Sequence, residues 1–247
     1  MIAIDRSPWR PAIRALAEGD LVAAIGDVHG RADLLAALHA ALAEEIGALA
    51  PATATLVHLG DLVDRGPESR RAVALARAGL PGVATVTLRG NHEERMLEEL
   101  AGTAPPDPRW VAMGGRELFV ECGVEPAAGW QSRFAAAFGA DLLDWLRARP
   151  ILHRHGDLVF VHAGIEPTVD LGLQDPRTLA WVRESWWAHP GPYPHDVAVV
   201  HGHVPVAAVD LDHPRRIALD TKAHATGVLS ALVIVGGRMR LVATRVA

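Results

Sequence analysis

The sequence predicts an α/β protein in which two β-sheets pack face to face with helices outside them. Two observations carry this expectation. Short β-branched apolar runs alternate with helical patterns through the first hundred or so residues. After a helical middle, apolar runs return through the second half.

The first unit is "LVAAIGD" (21–27), followed by the helical pattern "ADLLAALHAALAEEIGAL". The second is "TLVHLGD" (55–61) before "PESRRAVALARAG", and the third is "VATVTLRGN" (83–91) before "HEERMLEELAG". Each is a run suited to a buried strand, then Gly with Asp or Asn, then a helix, as in βαβ crossovers. Pro67 suits a first helical turn, and Gly79 and Gly102 suit helix ends. Glu93 and Glu94 suit a helix N-terminus, whereas Glu44 and Glu45 read as a solvated helix face. The middle, roughly 105–149, reads as helices and connections, with "RFAAAFGADLLDWLRAR" as its clearest helix. Strands are expected again at 157–164, 197–206, 215–221, 227–237 and 238–246, the last two as a hairpin across Gly236-Gly237. The Trp-, Pro- and His-rich stretch 180–196 reads as a long structured loop in which Trp186 and Trp187 form either a lid or plain packing. No flexible linker interrupts the chain, so one domain over 1–247 is expected.

Composition narrows the function classes. The chain has 24 basic and 29 acidic residues and no basic tract, which argues against nucleic acid as a partner. Its one cysteine, Cys122, excludes an intrachain disulfide and a thiolate zinc cage and fits a reducing compartment. The stretch "MIAIDRSPWRP" lacks the apolar core of a signal peptide, and "GVLSALVIVGG" is too short to span a bilayer. A cytoplasmic protein without a membrane partner is the expectation.

The ends of the strands carry the chemistry. They deliver Asp27 and His29, Asp61 and Asp64, Asn91 and His92, His162, and finally His201 and His203. One Gly-Asp after a strand is an ordinary turn, and one histidine there is an ordinary polar residue. Five strands supplying oxygen and imidazole donors at their carboxyl ends are where α/β sheets bind ligands. The inventory suits two divalent cations, with Mn²⁺ expected and Fe or Zn²⁺ as alternatives. One ion would take Asp27, His29 and Asp61, and the other Asp61, Asn91, His162 and His203, with Asp61 as the bridge.

"GDVHG" (26–30), "GDLVDRG" (60–66) and "RGNHE" (89–93) resemble the motifs of PPP-type serine/threonine phosphatases among the calcineurin-like metallophosphoesterases. "VHAG" (161–164) and "HGHVP" (201–205) resemble the later histidine motifs, and "WVRE" (181–184) is similar to bacterial and phage members such as bacteriophage lambda phosphatase. The resemblance implies an αββα sandwich of two mixed β-sheets flanked by helices, with a dinuclear centre between the sheets. It implies the same six ligands, preferring His203 over His201, and it makes His92 the proton donor paired with Asp64. It places Arg65, Arg183 and Asn91 on substrate phosphate.

The implied activity is metal-dependent hydrolysis of phosphomonoesters, with phosphoserine and phosphothreonine proteins or peptides as substrates. Water activated by both ions would attack phosphorus directly, without a phospho-enzyme. The alternative on the same scaffold is a symmetrical dinucleoside polyphosphate hydrolase acting on nucleotides. Those enzymes commonly have Ala in place of Asp64 and Asp in place of Glu93. An inactive phosphate-binding module would be expected to have lost ligands or the Asp64–His92 pair. One departure stands out: members with this ending commonly have Gly after "DT", where this chain has Lys222 in "LDTKAHATG". Lys222 and His224 are expected near the mouth of the site, where a cation would favour substrates with extra negative charge.

Overall fold

A computed structural model describes residues 1–189 and 196–246. The chain enters on two short strands, β1 (Ile2–Arg6) and β2 (Arg10–Pro11), that the sequence pattern did not announce. Three strand–helix units follow as expected: β3 (Asp20–Ile25) with α1 (Ala32–Leu49), β4 (Thr53–His58) with α2 (Ser69–Ala78), and β5 (Ala84–Thr87) with α3 (Asn91–Ala101). The helical middle comprises α4 (Pro108–Trp110), a wide π-type turn over Val111–Gly115, α5 (Arg116–Cys122), α6 (Trp130–Phe138) and α7 (Ala140–Arg147). Then come β6 (Leu152–His155), β7 (Leu158–Val161), α8 (Pro176–Trp181), α9 (Glu184–Trp187), β8 (Ala198–His201), β9 (Arg216–Ala218), α10 (Ala223–Thr226), β10 (Ser230–Val235) and β11 (Arg238–Val246).

The strands form two mixed sheets. The larger runs β1-β11-β10-β3-β4-β5, with β2 paired to β11, and the smaller runs β6-β7-β8-β9. In the larger sheet β3, β4 and β5 are parallel, whereas β10 joins β3 antiparallel. Thus β10 and β11 form the expected hairpin, yet they return to the first sheet rather than extending the second. The division is therefore not between halves of the chain.

Side-chain alternation explains the layering. Leu21, Ala23 and Ile25 join the core beneath α1, while Val22 and Ala24 join a core shared with Phe160 and Val200 of the other sheet. In β7, Leu158 and Phe160 face that shared core, and Val159 and Val161 pack on Trp186 and Leu179 outside. Both faces of the central strands are buried, which is why they read as unbroken apolar runs. The result is helices, sheet, sheet and helices.

Four local expectations change. The stretch 133–149 is two helices, because Gly139 (φ 108°, ψ 114°) breaks it. Pro67 lies before α2, whose N-cap is Glu68. The edge strand β6 was hidden by its polar sequence, Leu-His-Arg-His. Glu45 is buried and paired with Arg6 and Arg240, while Glu44 alone is solvated. In the tryptophan-rich stretch, Trp186 is core packing and Trp187 is partly exposed beneath Arg216; residues 190–195 lie outside the described residues. Among the described residues, no helix is long and apolar enough to cross a membrane.

Candidate functional site

The carboxyl ends of β3, β4 and β5 in one sheet, and of β7 and β8 in the other, converge on one buried cluster. The "GD" loops are tied together by backbone: the Val28 and His29 N–H groups donate to the Asp61 carbonyl at 3.0 and 2.8 Å, and Gly30 donates to Leu62 at 2.8 Å. Backbone strain concentrates here. Among the described residues, His29, Asp61, Asp64, Arg65, His203 and Lys222 have positive φ, with Ala50 as the one other non-glycine. Strained backbone of this kind persists where surrounding contacts over-determine it, and it clusters at functional sites. Two glycines are required by close approach. A Cβ on Gly90 would lie 2.2 Å from Asp61 Oδ1, and one on Gly202 would lie 1.9 Å from Asp27 Oδ1.

Glu93 holds the second loop. Its Oε1 accepts from the Leu62 and Val63 N–H groups at 2.7 and 3.1 Å, and its Oε2 accepts from Asp61 and Gly90, both at 2.8 Å. The sequence analysis reads this residue as a helix N-terminal acid and as part of the RGNHE motif, with no backbone role. Its larger effect is to satisfy four backbone donors at once.

Histidine tautomers are fixed from outside the cluster. His29 Nδ1–H donates to the Val63 carbonyl and His162 Nδ1–H to the Leu59 carbonyl, both at 2.9 Å. Each ring therefore turns Nε2 inward, the orientation typical of a metal-binding histidine. His162 Nε2 lies 3.3 Å from Asp61 Oδ1 and 2.9 Å from Asn91 Oδ1, and His203 Nδ1 lies 2.8 Å from that same amide oxygen. His203 N–H donates to the Asp27 carboxylate at 3.1 Å. By contrast, His201 accepts from Trp186 Nε1–H at 3.3 Å, and its Nδ1 faces the Gly202 carbonyl at 3.0 Å. Neither of those partners belongs to the cluster, whereas His203 Nδ1 meets Asn91 within it.

The potential ligand atoms fall into two groups, His29–Asp61–His92 and Asp61–His162–His203, each within 4.8 Å and sharing Asp61. The electrostatics fit cations there. Burial, then the Asp220 charge, push the Asp27 carboxyl well above its usual range. Burial opposes charge on His162, but Asp61 overrides it and lifts that imidazole to about 10. A proton thus answers, on His162, the need for positive charge beside these carboxylates. The donor set, carboxylate, amide oxygen and imidazole, suits divalent ions.

Arg65, His92 and Asp64 form the other wall. Arg65 donates from Nη1 to His29 Nε2 at 2.8 Å and from Nη2 to His92 Nε2 at 2.9 Å. His92 Nδ1 lies 2.6 Å from Asp64 Oδ2, which also accepts from Trp110 Nε1–H at 3.1 Å. Arg183 donates from Nε to His203 Nε2 at 3.1 Å. His224 stacks its edge on His29 with centroids 5.3 Å apart, and exposed Lys222 caps α10. His29, Asp61, Asn91, His162 and His203 thus come together beside Asp64, Arg65, His92 and Arg183; Asp27 stands outside both ligand groups and joins them through the His203 N–H, and His201 is turned away. Two neighbours were missed. Asp220 is 1% exposed, and its Oδ2 has no hydrogen-bond partner among the described residues. It follows β9 just as Asp27 follows β3, so the strand-end rule could have found it. Trp110 lies in the helical middle, where no local signal ties it to Asp64. Burial and the Glu121 charge push the Cys122 thiol up to about 11, so it is neutral at pH 7.

A family profile described as calcineurin-like phosphoesterase matches residues 21–232. A relative in Dechloromonas aromatica (strain RCB), named bis(5'-nucleosyl)-tetraphosphatase, symmetrical, is 32% identical over 179 residues, covering 68% of this chain and 56% of the relative. A protein of that name in Klebsiella pneumoniae (strain 342) is 34% identical over 185 residues, covering 73% of this chain and 55% of the relative. The chain spans about half the length of the curated relatives it matches. Among solved structures, one provisionally described as a diadenosine tetraphosphatase has a TM-score of 0.62 at 22% identity, covering 94% of this chain and 97% of that one. This last likeness concerns the fold.

Proposed function

The chain belongs to the calcineurin-like phosphoesterase family, and from that premise we propose that it hydrolyses dinucleoside polyphosphates symmetrically, with two divalent cations. The pair of donor groups that share Asp61 carries the reaction class. The names of the relatives favour the nucleotide substrate over a phosphoprotein.

Asp27, His29 and Asp61 would hold one ion, and Asp61, Asn91, His162 and His203 the other. Such ions, when bound, acidify water and polarise phosphoryl oxygens. The chain's own residues do the rest. Arg65 and Arg183 present guanidinium forks to the phosphoryl oxygens, whose planar donors match that geometry. Arg65 now donates to both His29 Nε2 and His92 Nε2, and it would leave them to meet substrate once His29 serves as a ligand and His92 is protonated. Asn91 adds its amide to the same wall. His92, with Nδ1–H committed to Asp64, would carry on Nε2 the proton that the departing oxygen receives. Glu93 keeps the Asp61 loop in its strained form throughout.

A second reading, a phosphomonoesterase acting on phosphoserine or phosphothreonine, is favoured by one observation. An alkoxide leaving group needs a proton more than a nucleoside diphosphate does, and the 2.6 Å Asp64–His92 contact builds a proton donor. Diadenosine tetraphosphate, a phosphopeptide and p-nitrophenyl phosphate assayed side by side with Mn²⁺ test both. The proposal expects diadenosine tetraphosphate to be preferred and ADP to be the sole product. Preference for the phosphopeptide would transfer the function to the second reading.

A further inference from the structure

Beside His92 the site opens into a cleft of about 260 Å³ whose walls include Asn91, His92, Arg95, Trp110, Arg177 and Trp181. Asn91 and His92 belong to the chemistry assigned above, whereas Arg95, Arg177 and Trp181 have no part in it. Trp181, the last residue of α8, is held by its edge: Nε1–H donates to Glu94 Oε2 at 2.9 Å. Arg177, one turn earlier, stands over the indole with its guanidinium 5.2 Å from the ring centroid. Its side chain is 68% exposed, and its one ion pair among the described residues is a marginal 4.0 Å contact to Glu98.

The chemistry selects among occupants. Arg95 is spent on Glu99 and Asp107, so the cations the cleft leaves for a phosphate are Arg109 and Arg177 at its exposed side, and charge alone does not select the occupant. A flat π-system matches an indole fixed at its edge and covered by a guanidinium, since both surfaces stack on aromatic rings. Position then says which part of a substrate enters. His92 stands at the cleft's inner end, and the group that takes its proton departs on that side.

We propose that this cleft seats the base of the leaving nucleotide against the Trp181 indole, with the Arg177 guanidinium, which now stands 5.2 Å from that ring, moving outward to cover the base. The inference rests on the dinucleoside polyphosphate reading, which it deepens by naming the subsite. A base held there adds affinity on the departing side and orients the oxygen that receives the His92 proton. It discriminates a nucleotide from a bare phosphate chain of equal charge.

The test compares ADP with inorganic pyrophosphate as inhibitors of Mn²⁺-dependent p-nitrophenyl phosphate hydrolysis by the full chain. ADP is expected to inhibit the parent about tenfold more tightly than pyrophosphate, the scale of one stacked base. Trp181→Ala should remove most of that margin, and Trp181→Phe should retain it. Arg177→Ala, at an exposed position, should reduce the margin about threefold even if Trp181→Ala fails to fold. Equal inhibition of the parent by both compounds overturns the subsite, as does a margin that survives in Trp181→Ala and Arg177→Ala. Failure to cleave diadenosine tetraphosphate, with the ADP margin intact, overturns the substrate reading and leaves the base subsite standing.

Discussion

His92 Nδ1 lies 2.6 Å from Asp64 Oδ2, and both side chains are buried. Burial disfavours the charged imidazole, but the Asp61 charge and the Asp64 hydrogen bond outweigh it and raise its pKa. Asp64→Asn should therefore cost turnover about 10²-fold, the low end of general acid effects. Metal content should stay near that of the parent. Steady-state kinetics beside elemental analysis decide this: loss of both ions in the variant would contradict an orienting role.

Asp61 is the one residue common to both candidate ligand groups. Asp61→Asn keeps the shape and removes the charge that both ions would share. Metal retained after dialysis should fall from two ions toward one or none, with activity down at least about 10²-fold. An enzyme with both ions and full activity would refute the bridge.

Glu93 accepts from four backbone N–H groups in a buried turn. Glu93→Ala leaves all four without a partner, each worth roughly 1–3 kcal/mol. Urea denaturation should show a loss of at least about 3 kcal/mol, and Glu93→Gln, which keeps one acceptor oxygen, should lose less. Equal stability of Glu93→Ala and the parent would show that the turn holds itself.

Acid stability should depend on His39 and His58, whose Nε2 atoms lie 2.9 Å apart beneath the β4 end. Burial lowers His39 to about 4, and burial together with the His39 charge lowers His58 to about 3. Both stay neutral in the folded chain while the unfolded chain takes up protons near pH 6.5. Their contribution is whole above that pH and is lost as pH falls toward 4. His39→Gln should flatten the stability–pH slope between pH 6.5 and 4.5 by up to about 1.4 kcal/mol per pH unit. An unchanged slope would sink the assignment.

Lys222 adopts φ 55° while donating its N–H to Asp220 Oδ1 at 2.8 Å. The left-handed conformation costs a side chain about 1 kcal/mol that glycine is spared. Lys222→Gly should raise stability by about 0.5–1 kcal/mol, read as a small rise in Tm. If the lysine also draws in negative charge, the variant loses more on diadenosine tetraphosphate than on p-nitrophenyl phosphate. A drop in Tm would show that the side chain makes contacts worth more than the strain.

Local sequence determined much of this protein. Strand identity is encoded in runs such as Leu21–Ile25, because burial on both faces demands unbroken apolar residues. Candidate ligands were legible because Asp27, Asp61, Asn91, His162 and His203 each stand just past such a run; each alone is an ordinary turn or cap residue, but the set of them at five strand ends is not. Tertiary structure decided what no local pattern encodes. It returned β10 and β11 to the first sheet, because strand pairing depends on which edge is free rather than on chain order. It committed His201 to Trp186 and left His203 facing Asn91, two residues away with the same chemistry. It also brought Trp110 to Asp64, Asp220 toward Asp27, and Trp181 to the cleft beside His92. The physical reason is common to all of these. Periodicity reports which side of an element is buried, whereas the partner across a packed interface is set by the whole fold.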